Sequence, residues 1–144
     1  MQEEESKVLD YNRDKTIMGL LGIEYTEFSP ECVKCTMKIT EKHLQPFGLM
    51  HGGVSGVIAE SVASAGSYQF IDVSYQSIVG LELNMNHIRP GRLGEVITGV
   101  GVPIHVGRST MVWEIKIYNG ENKLVCISRC TVSILNKVSA VTQK

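Results

Sequence analysis

One stretch of the sequence, residues 45–68, limits the possible folds more than any other part of the chain. It reads QPFGLMHGGVSGVIAESVASAGSY, and its Gly52-Gly53 pair lets the backbone turn tightly before helical periodicity begins. Residues 54–70 are mostly Val, Ile, Ala, Gly and Ser, so nearly every face of a helix here could pack against other protein. The sequence therefore predicts a buried central helix that starts near Gly53.

Glu60 is the exception on this helix, because it is the only charged residue between His51 and Phe70. A carboxylate on an otherwise apolar helix loses hydration, which has to be replaced or exploited. Ser64 follows one turn later on the same face, where its hydroxyl could bind the carboxylate or hold a water beside it. The pair suggests a base and its water. The alternative is a structural carboxylate that is simply satisfied by its neighbours.

The start of the helix offers a second chemical group. Its first turn has unpaired N–H groups and the positive end of the helix dipole, which suit a carbonyl oxygen that gains negative charge. Gly52 or Gly53 would present such an N–H. Gly52 and Glu60 are eight residues apart, roughly 12 Å along a helix, so one carbonyl cannot contact both. If both act on one substrate, residues 45–53 of one subunit have to face Glu60 of another, which predicts a twofold dimer with two composite sites.

Composition bounds the class of protein. With 144 residues, 43% of them hydrophobic and 20% charged, the chain (residues 1–144) is expected to form a single domain with a real core. Fourteen basic and fifteen acidic side chains create no overall field that would attract nucleic acid. No stretch approaches the roughly 18 to 20 apolar residues that span a bilayer, and the start, MQEEESKVLD, lacks an apolar signal core. We expect a soluble cytoplasmic protein with no membrane partner.

Four cysteines occur in two pairs, Cys32-Val-Lys-Cys35 and Cys126-Ile-Ser-Arg-Cys130, which resembles the formula of a structural zinc site. Both pairs fall in strand-like runs, where positions i and i+3 point to opposite faces, so the thiols of a pair do not converge. The histidines outside residues 45–68 also lack metal-ligand spacing; they are His43, His87 and His105. No metal and no cofactor are expected.

The remaining chain reads mostly as strands. Residues 22–29 and 32–40 predict a hairpin with one solvated face, and residues 12–21 predict a short helix, with Ile17, Leu20 and Leu21 as its apolar face, that packs on the domain or covers the site. Four strands follow the central helix, at about residues 78–88, 95–105, 109–118 and 123–135. Asn119-Gly120 is the strongest hairpin signal. This order predicts an α+β fold in which an antiparallel sheet wraps around one long central helix.

The motifs resemble those of the hotdog-fold acyl-CoA thioesterases, in the 4-hydroxybenzoyl-CoA thioesterase or PaaI-like branch. The resemblance rests on QPFGLMHGG followed by AES, then on VGLELNMNHIRP, GRSTMVWEI and CISRCTVSIL, in that order. HGG alone would be a weak signal, whereas the ordered set spans most of the chain. It implies hydrolysis of an acyl-CoA thioester.

The resemblance also implies roles for individual residues. Gly52 N–H would bind the thioester carbonyl, with Gln45 and His51 orienting that end. Glu60 would act as nucleophile or general base, and Ser64 would bind the water. Without the motif, His51 reads as a helix cap or core histidine, Gln45 as a loop amide and Ser64 as a packing residue.

Substrate contacts follow in the same way. Coenzyme A phosphates would meet basic residues near subunit boundaries, with Arg108, beside Ser109, as the first candidate; the others are Arg89, Arg92 and Arg129. His87 would border the coenzyme. An aromatic acyl group, such as hydroxybenzoyl or dihydroxynaphthoyl, would lie among Phe47, Leu49, Met50, Gly53, Val57 and Tyr68. The resemblance further implies a homotetramer built as a dimer of dimers.

Other classes of protein fit less well. No G-x-S-x-G elbow supports a serine hydrolase, and a hotdog dehydratase would need a different arrangement of His and acid. A non-catalytic acyl-CoA-binding or regulatory module of the same fold, in which His51 and Glu60 are structural, remains the alternative function.

Overall fold

The computed structural model describes residues 13–137. In this range the chain forms two α-helices and six strands. The helices are α1 (Ile17–Leu21) and α2 (Gly52–Tyr68); the strands are β1 (Glu24–Phe28), β2 (Val33–Lys38), β3 (Gln76–His87), β4 (Val96–Val106), β5 (Thr110–Tyr118) and β6 (Leu124–Asn136). The central helix and all six predicted strands are confirmed, each ending within two residues of its predicted boundary.

The first helix is shorter than predicted. A 3₁₀ turn, Arg13–Lys15, precedes α1 and is separated from it by Thr16, which is extended at φ −98° and ψ 168°. The start of the prediction, residue 12, lies outside the described range. Of the predicted apolar face only Leu21 packs against the core, while Ile17 and Leu20 are 52% and 61% exposed. That part of the prediction is wrong because the helix is rotated so that Met18 and Leu21, three residues apart, form the face that packs against the core.

The strands form one antiparallel sheet in the order β1-β2-β4-β5-β6-β3, with α2 across one face. This confirms the α+β prediction. The hairpin β1–β2 has the expected solvated face, since β2 alternates between buried and more exposed positions along its length. The β5–β6 connection is longer than a two-residue Asn-Gly turn: Asn119 N–H donates to Lys123 O, and Asn122 rather than Gly120 has a positive φ, 57°.

Helix α2 lies unusually close to the sheet at two glycines of β4. A Cβ atom on Gly99 would lie 2.6 Å from Ile58 Cγ2, and one on Gly101 would lie 2.3 Å from Val62 Cγ1. Both distances are shorter than any normal carbon contact, so only glycine permits this packing. Ile58 and Val62 are thereby fully buried. Although α2 is apolar, no helix within the described part of the chain is long and apolar enough to cross a membrane.

Trp113 on β5 anchors the far end of α2. Its ring packs against Gly66, where a Cβ atom would lie 2.3 Å from Cη2. The indole Nε1–H donates to Ser67 Oγ at 2.8 Å, and the Ser67 hydroxyl in turn donates to Ala63 O at 2.8 Å. Ser55, on the same helix, is the contrast: among residues 13–137 its hydroxyl is the one buried side-chain N or O atom that lacks a nitrogen or oxygen partner, and its polar neighbour is the Cys126 thiol.

These two buried serines give a matched test of the packing. Ser67→Ala should lower the free energy of unfolding by about 1–3 kcal/mol, because it leaves the buried Trp113 N–H without an acceptor. Ser55→Ala should change the free energy of unfolding much less, because the hydroxyl it removes has no nitrogen or oxygen partner and contacts only the weakly polar Cys126 thiol. Urea denaturation of both variants measures the difference, and equal losses would contradict the assigned hydrogen bonds.

Candidate active site

The loop that leads into α2 is closed by its own hydrogen bonds. Gln45 N–H donates to Leu49 O at 2.8 Å, and Gly48 N–H donates to Gln45 O at 2.9 Å. Gly48 has a φ of 83°, which favours glycine at this position. The Gln45 Oε1 atom accepts from Phe47 N–H, so the carboxamide nitrogen is the part of the side chain that remains available to a ligand.

His51 is the N-cap residue of α2. Its Nδ1 accepts a hydrogen bond from Gly53 N–H at 2.9 Å, so the capping interpretation of this histidine is confirmed. The cap occupies the Gly53 N–H, whereas no group among residues 13–137 accepts from Gly52 N–H. Of the two glycines expected to present a free N–H, only Gly52 does so in the described part of the chain.

A cleft of about 370 Å³ opens beside this N–H. It is lined by Gln45, Leu49, Met50, Gly52, His87, Ile88, Arg89, Pro90, Gly91 and Val125. The His87 ring lies against Gly52, where a Cβ atom would be 2.9 Å from Cε1. Arg89 is held in place because its Nη1 donates to Leu124 O at 2.9 Å. The fold therefore brings together six residues predicted from separate parts of the sequence: Gln45, Leu49, Met50, Gly52, His87 and Arg89.

Glu60 lies elsewhere on α2 and is exposed in the single chain. The expectation of a carboxylate buried within the chain is wrong, because β3 is the last strand of the sheet and covers this side of the helix only partly. The carboxylate lies over Gly80 of β3, where a Cβ atom would be 2.0 Å from Oε1. Burial raises the pKa of the Cys130 thiol to about 11, and the negative charge of Glu60 acts in the same direction.

Strand β3 follows α2 along its length and fixes the spacing of the two groups. His87 contacts Gly52, the Met85 Cε atom would lie 2.9 Å from a Cβ on Gly56, and Gly80 faces Glu60. The eight helical residues between Gly52 and Glu60 correspond to roughly 12 Å. Within one chain, the free N–H and the carboxylate are thus held apart by a continuous helix.

The other predicted residues fall into three groups. Gly53, Val57, Ser64 and Tyr68 are exposed or half-buried and share the stripe of α2 that includes Glu60. Phe47, at the tip of the loop, is 90% exposed. Two of the remaining arginines are separated. Arg92 forms a backbone β-bridge with Leu49 beside the cleft, whereas Arg129 of β6 is exposed and lies opposite Glu114 of β5 in the strand register.

Arg108 and Ser109, the first candidates for phosphate binding, lie in the turn between β4 and β5. This turn is at the end of β5 opposite to Ile117, which pairs with Cys126 next to the cleft. The strand between them spans nine residues, about 30 Å. Within one chain, Arg108 and Ser109 are therefore far from Gly52.

Cysteine chemistry does not contribute to this site. Cys35, Cys126 and Cys130 are buried and Cys32 is half-buried, all with free thiols. Burial raises the pKa of the Cys35 thiol to about 11, which keeps it protonated at neutral pH. Within residues 13–137, no three His, Cys, Asp or Glu side chains are arranged to hold a metal ion.

Two residues next to the site were not predicted. Gly80 makes room for the Glu60 carboxylate, and His43, two residues before Gln45, is almost completely buried at 1% exposure. The sequence offered little signal for either, since Gly80 lies twenty residues from Glu60 and an isolated histidine usually lies on the surface or in the core without a role.

Comparison with known proteins identifies the family. The model of the thioesterase superfamily matches residues 47–126, which include the free Gly52 N–H, Glu60 and most of the cleft. The chain belongs to the thioesterase superfamily. As a member with a hotdog fold, it is a thioester hydrolase, and the reading as a binding module without catalysis is set aside.

Relatives of this thioesterase support the assignment over nearly its full length. It is 43% identical to a 1,4-dihydroxy-2-naphthoyl-CoA hydrolase from Listeria monocytogenes, over 83% of this chain and 98% of the relative. A mutant thioesterase from Pseudomonas aeruginosa superposes with a TM-score of 0.86 at 38% identity, covering 94% of this chain and 96% of that one. A hypothetical thioesterase protein from Streptococcus pneumoniae, solved with coenzyme A, superposes with a TM-score of 0.73 at 25% identity, covering 81% and 88%.

The contact between Gly80 and Glu60 generates a prediction for the thioesterase. Gly80→Ala should move the Glu60 carboxylate, because the added Cβ would overlap Oε1. Stability should change little, since the displaced atoms are the end of a flexible side chain, but the rate of thiol release should fall at least about tenfold. Gly120→Ala is the control, because a Cβ there meets nothing closer than 3.8 Å. Full activity in Gly80→Ala would separate Glu60 from the reaction.

Proposed function

We propose that this thioesterase hydrolyses an aromatic acyl-CoA to the free acid and coenzyme A, at composite sites formed by two copies of the chain. Each site combines the Gly52 end of α2 from one copy with Glu60 from the other. The observation that carries the proposal is the position of the Glu60 carboxylate. It is exposed beside the terminal strand β3, roughly 12 Å along α2 from the cleft.

The Gly52 end binds the thioester carbonyl in this mechanism. Gly52 N–H lies in the first turn of α2, where the helix dipole favours negative charge, so its hydrogen bond strengthens as the carbonyl oxygen becomes an oxyanion. The free carboxamide nitrogen of Gln45 is a second donor in the same cleft. His51 acts indirectly, because its bond to Gly53 N–H fixes the first turn.

Glu60 acts on the carbonyl carbon by one of two routes. As a nucleophile it forms an anhydride while the C–S bond breaks, and water then hydrolyses the anhydride. As a general base it takes a proton from water, which attacks the carbon directly and leads to the same C–S cleavage. In both routes coenzyme A leaves as a thiolate, which needs no strong protein acid. Ser64, one turn after Glu60, is placed to hold the water.

The edge of the sheet supports assembly with a second copy. β3 is twelve residues long and pairs only with β6 among the described strands. Val79 and Leu81, on this strand, are 46% and 63% exposed. An exposed edge with apolar side chains favours pairing with another strand, and a twofold axis beside β3 would extend the sheet and lay two α2 helices side by side. Further assembly into a homotetramer and a cytoplasmic location remain predictions from the sequence.

Coenzyme A would lie at the mouth of the cleft. Arg89 lines the cleft and Arg92 is next to Leu49, so both are available to phosphates of a coenzyme bound at Gly52 of the same chain. Arg108, Ser109 and Arg129 could contribute only from a different chain, given their positions. His87, against Gly52, would contact the part of the coenzyme next to the thioester.

The aromatic character of the acyl group is inferred from the surfaces that we expect to surround it and from the name of a similar protein. It would extend from Gly52 of one copy towards the stripe of the second copy that includes Glu60. Val57 and Tyr68 on that stripe are half-buried in the single chain and offer apolar and aromatic surface. The relative from Listeria monocytogenes is named for an aromatic substrate, and an aromatic acyl group is therefore the substrate class that we propose.

Steady-state thiol release tests the reaction and the role of Glu60. A panel of aromatic and aliphatic acyl-CoAs is assayed with a colorimetric thiol reagent for wild type, Glu60→Ala and Glu60→Gln. Aromatic substrates should be hydrolysed fastest, and both variants should lose about 10²- to 10⁴-fold in kcat. Glu31→Gln, the same change at an exposed loop position, is the control. Wild-type turnover in Glu60→Gln would exclude the mechanism, and a preference for aliphatic substrates would exclude only the acyl assignment.

Complementation tests the composite site. Gln45→Ala and Glu60→Ala should each be strongly impaired alone. Mixed dimers of the two contain one site with both changes and one site with neither, so a coexpressed equal mixture should regain about one quarter of wild-type activity. If mass spectrometry shows mixed dimers but activity does not return, each site is built within one chain.

A further inference from the structure

His43 is buried beside the active-site loop with both ring nitrogens in hydrogen bonds. Nδ1 lies 2.8 Å from Thr40 N, and Nε2 lies 3.0 Å from Leu21 O. Because Thr40 N–H can only donate and Leu21 O can only accept, the ring is the neutral tautomer with its proton on Nε2. Burial lowers the pKa of His43, which favours this neutral form.

The two bonds join three segments that are distant in sequence. Leu21 is the last residue of α1, Thr40 follows β2, and His43 ends the 3₁₀ turn Glu41–His43. The backbone of His43 adds a third connection, since its carbonyl accepts from His51 N–H at 2.8 Å. His51 is the cap of α2, so the imidazole holds the base of the loop that begins at Gln45 and ends at Gly52.

We propose that His43 is a positioning residue of the active site, which holds the Gln45 carboxamide and the Gly52 N–H in the orientation that binds the oxyanion. The inference rests on the proposed roles of Gln45 and Gly52. His43 does not contact the substrate, since it is 1% exposed and is not part of the cleft lining. It acts through the backbone between residues 43 and 52.

Loss of the imidazole affects the transition state more than the bound substrate. Oxyanion stabilisation depends on donor geometry, and a displacement of about 1 Å can cost on the order of 10²-fold in rate. In the proposed function, contacts to the coenzyme come from another segment of the chain, which includes Arg89. A shifted loop therefore lowers kcat and leaves KM nearly unchanged. A purely structural histidine would instead lower the melting temperature without changing kcat of the folded protein.

Three substitutions separate the two bonds of the ring. His43→Asn places an acceptor near the Nδ1 position for Thr40 N–H, His43→Gln places a donor near the Nε2 position for Leu21 O, and His43→Leu makes neither bond. His105→Gln on β4 is the control, because His105 is exposed and outside the cleft. Circular dichroism first establishes a temperature at which each variant is fully folded, and kcat and KM are then measured on the best acyl-CoA of the wild type.

The expected order of kcat is wild type, then Asn and Gln, then Leu, with His43→Leu reduced about tenfold or more and KM changed less than about threefold. His105→Gln should match the wild type. The proposal is overturned if all three folded variants keep kcat within about twofold of wild type, if KM rather than kcat changes, or if none of the three folds. Each kcat is compared with the wild-type kcat on the same substrate, so the test works with any acyl-CoA that is hydrolysed. If the aromatic assignment or the proposed role of Glu60 is wrong, that result appears in the assays of the wild type and of the Glu60 variants instead.

Discussion

The positions of the functional groups follow from the close packing of α2 against the sheet. Ile58 and Val62 occupy space that exists only because β4 has Gly99 and Gly101 in place of larger residues. Burying two such side chains contributes about 1.5–3 kcal/mol each. These contacts fix the axis and the rotation of α2. The stripe of the helix that includes Glu60 therefore faces the side beside the edge strand β3, which the sheet covers only partly. The placement of the chemical groups thus follows from apolar packing on the opposite side of the helix.

One rigid helix supplies both halves of the proposed site, which explains why a single chain does not complete it. Gly52 and Glu60 belong to the same continuous hydrogen-bonded helix, so no movement short of unfolding α2 brings them together. In the proposed arrangement a twofold axis places the Gly52 end of each copy beside Glu60 of the other, so two identical chains form two complete sites. In this arrangement the exposed carboxylate and the exposed apolar residues of β3 have one explanation, since both become covered when a second copy binds.

Two buried polar side chains, Ser67 and His43, connect separate secondary-structure elements. The Ser67 hydroxyl links Trp113 on β5 to the end of α2, and His43 links α1 and β2 to the loop before α2. Directional bonds at these places determine how the elements meet, while apolar contacts supply most of the stability. The buried thiols behave differently: the raised pKa of Cys35 and Cys130 keeps them neutral, so they pack as small apolar side chains.

The amino-acid sequence specifies the elements, their order and the candidate chemistry. Alternation marked the strands, the glycine-opened apolar run marked α2, and the spacing of Gly52 and Glu60 predicted two chains for one site if both residues act on one substrate. It did not determine that Glu60 is exposed, because an apolar helix predicts burial on every side whereas the sheet covers only one. Nor did it place His87 against Gly52, Gly80 under Glu60, His43 at the base of the loop, or Arg108 far from the cleft. Those facts depend on the pairing of β3 with β6 at the edge of the sheet and on contacts between residues distant in the chain, and local patterns do not specify such distances. The register and order of the strands set these positions, because they bring the side chains together or keep them apart.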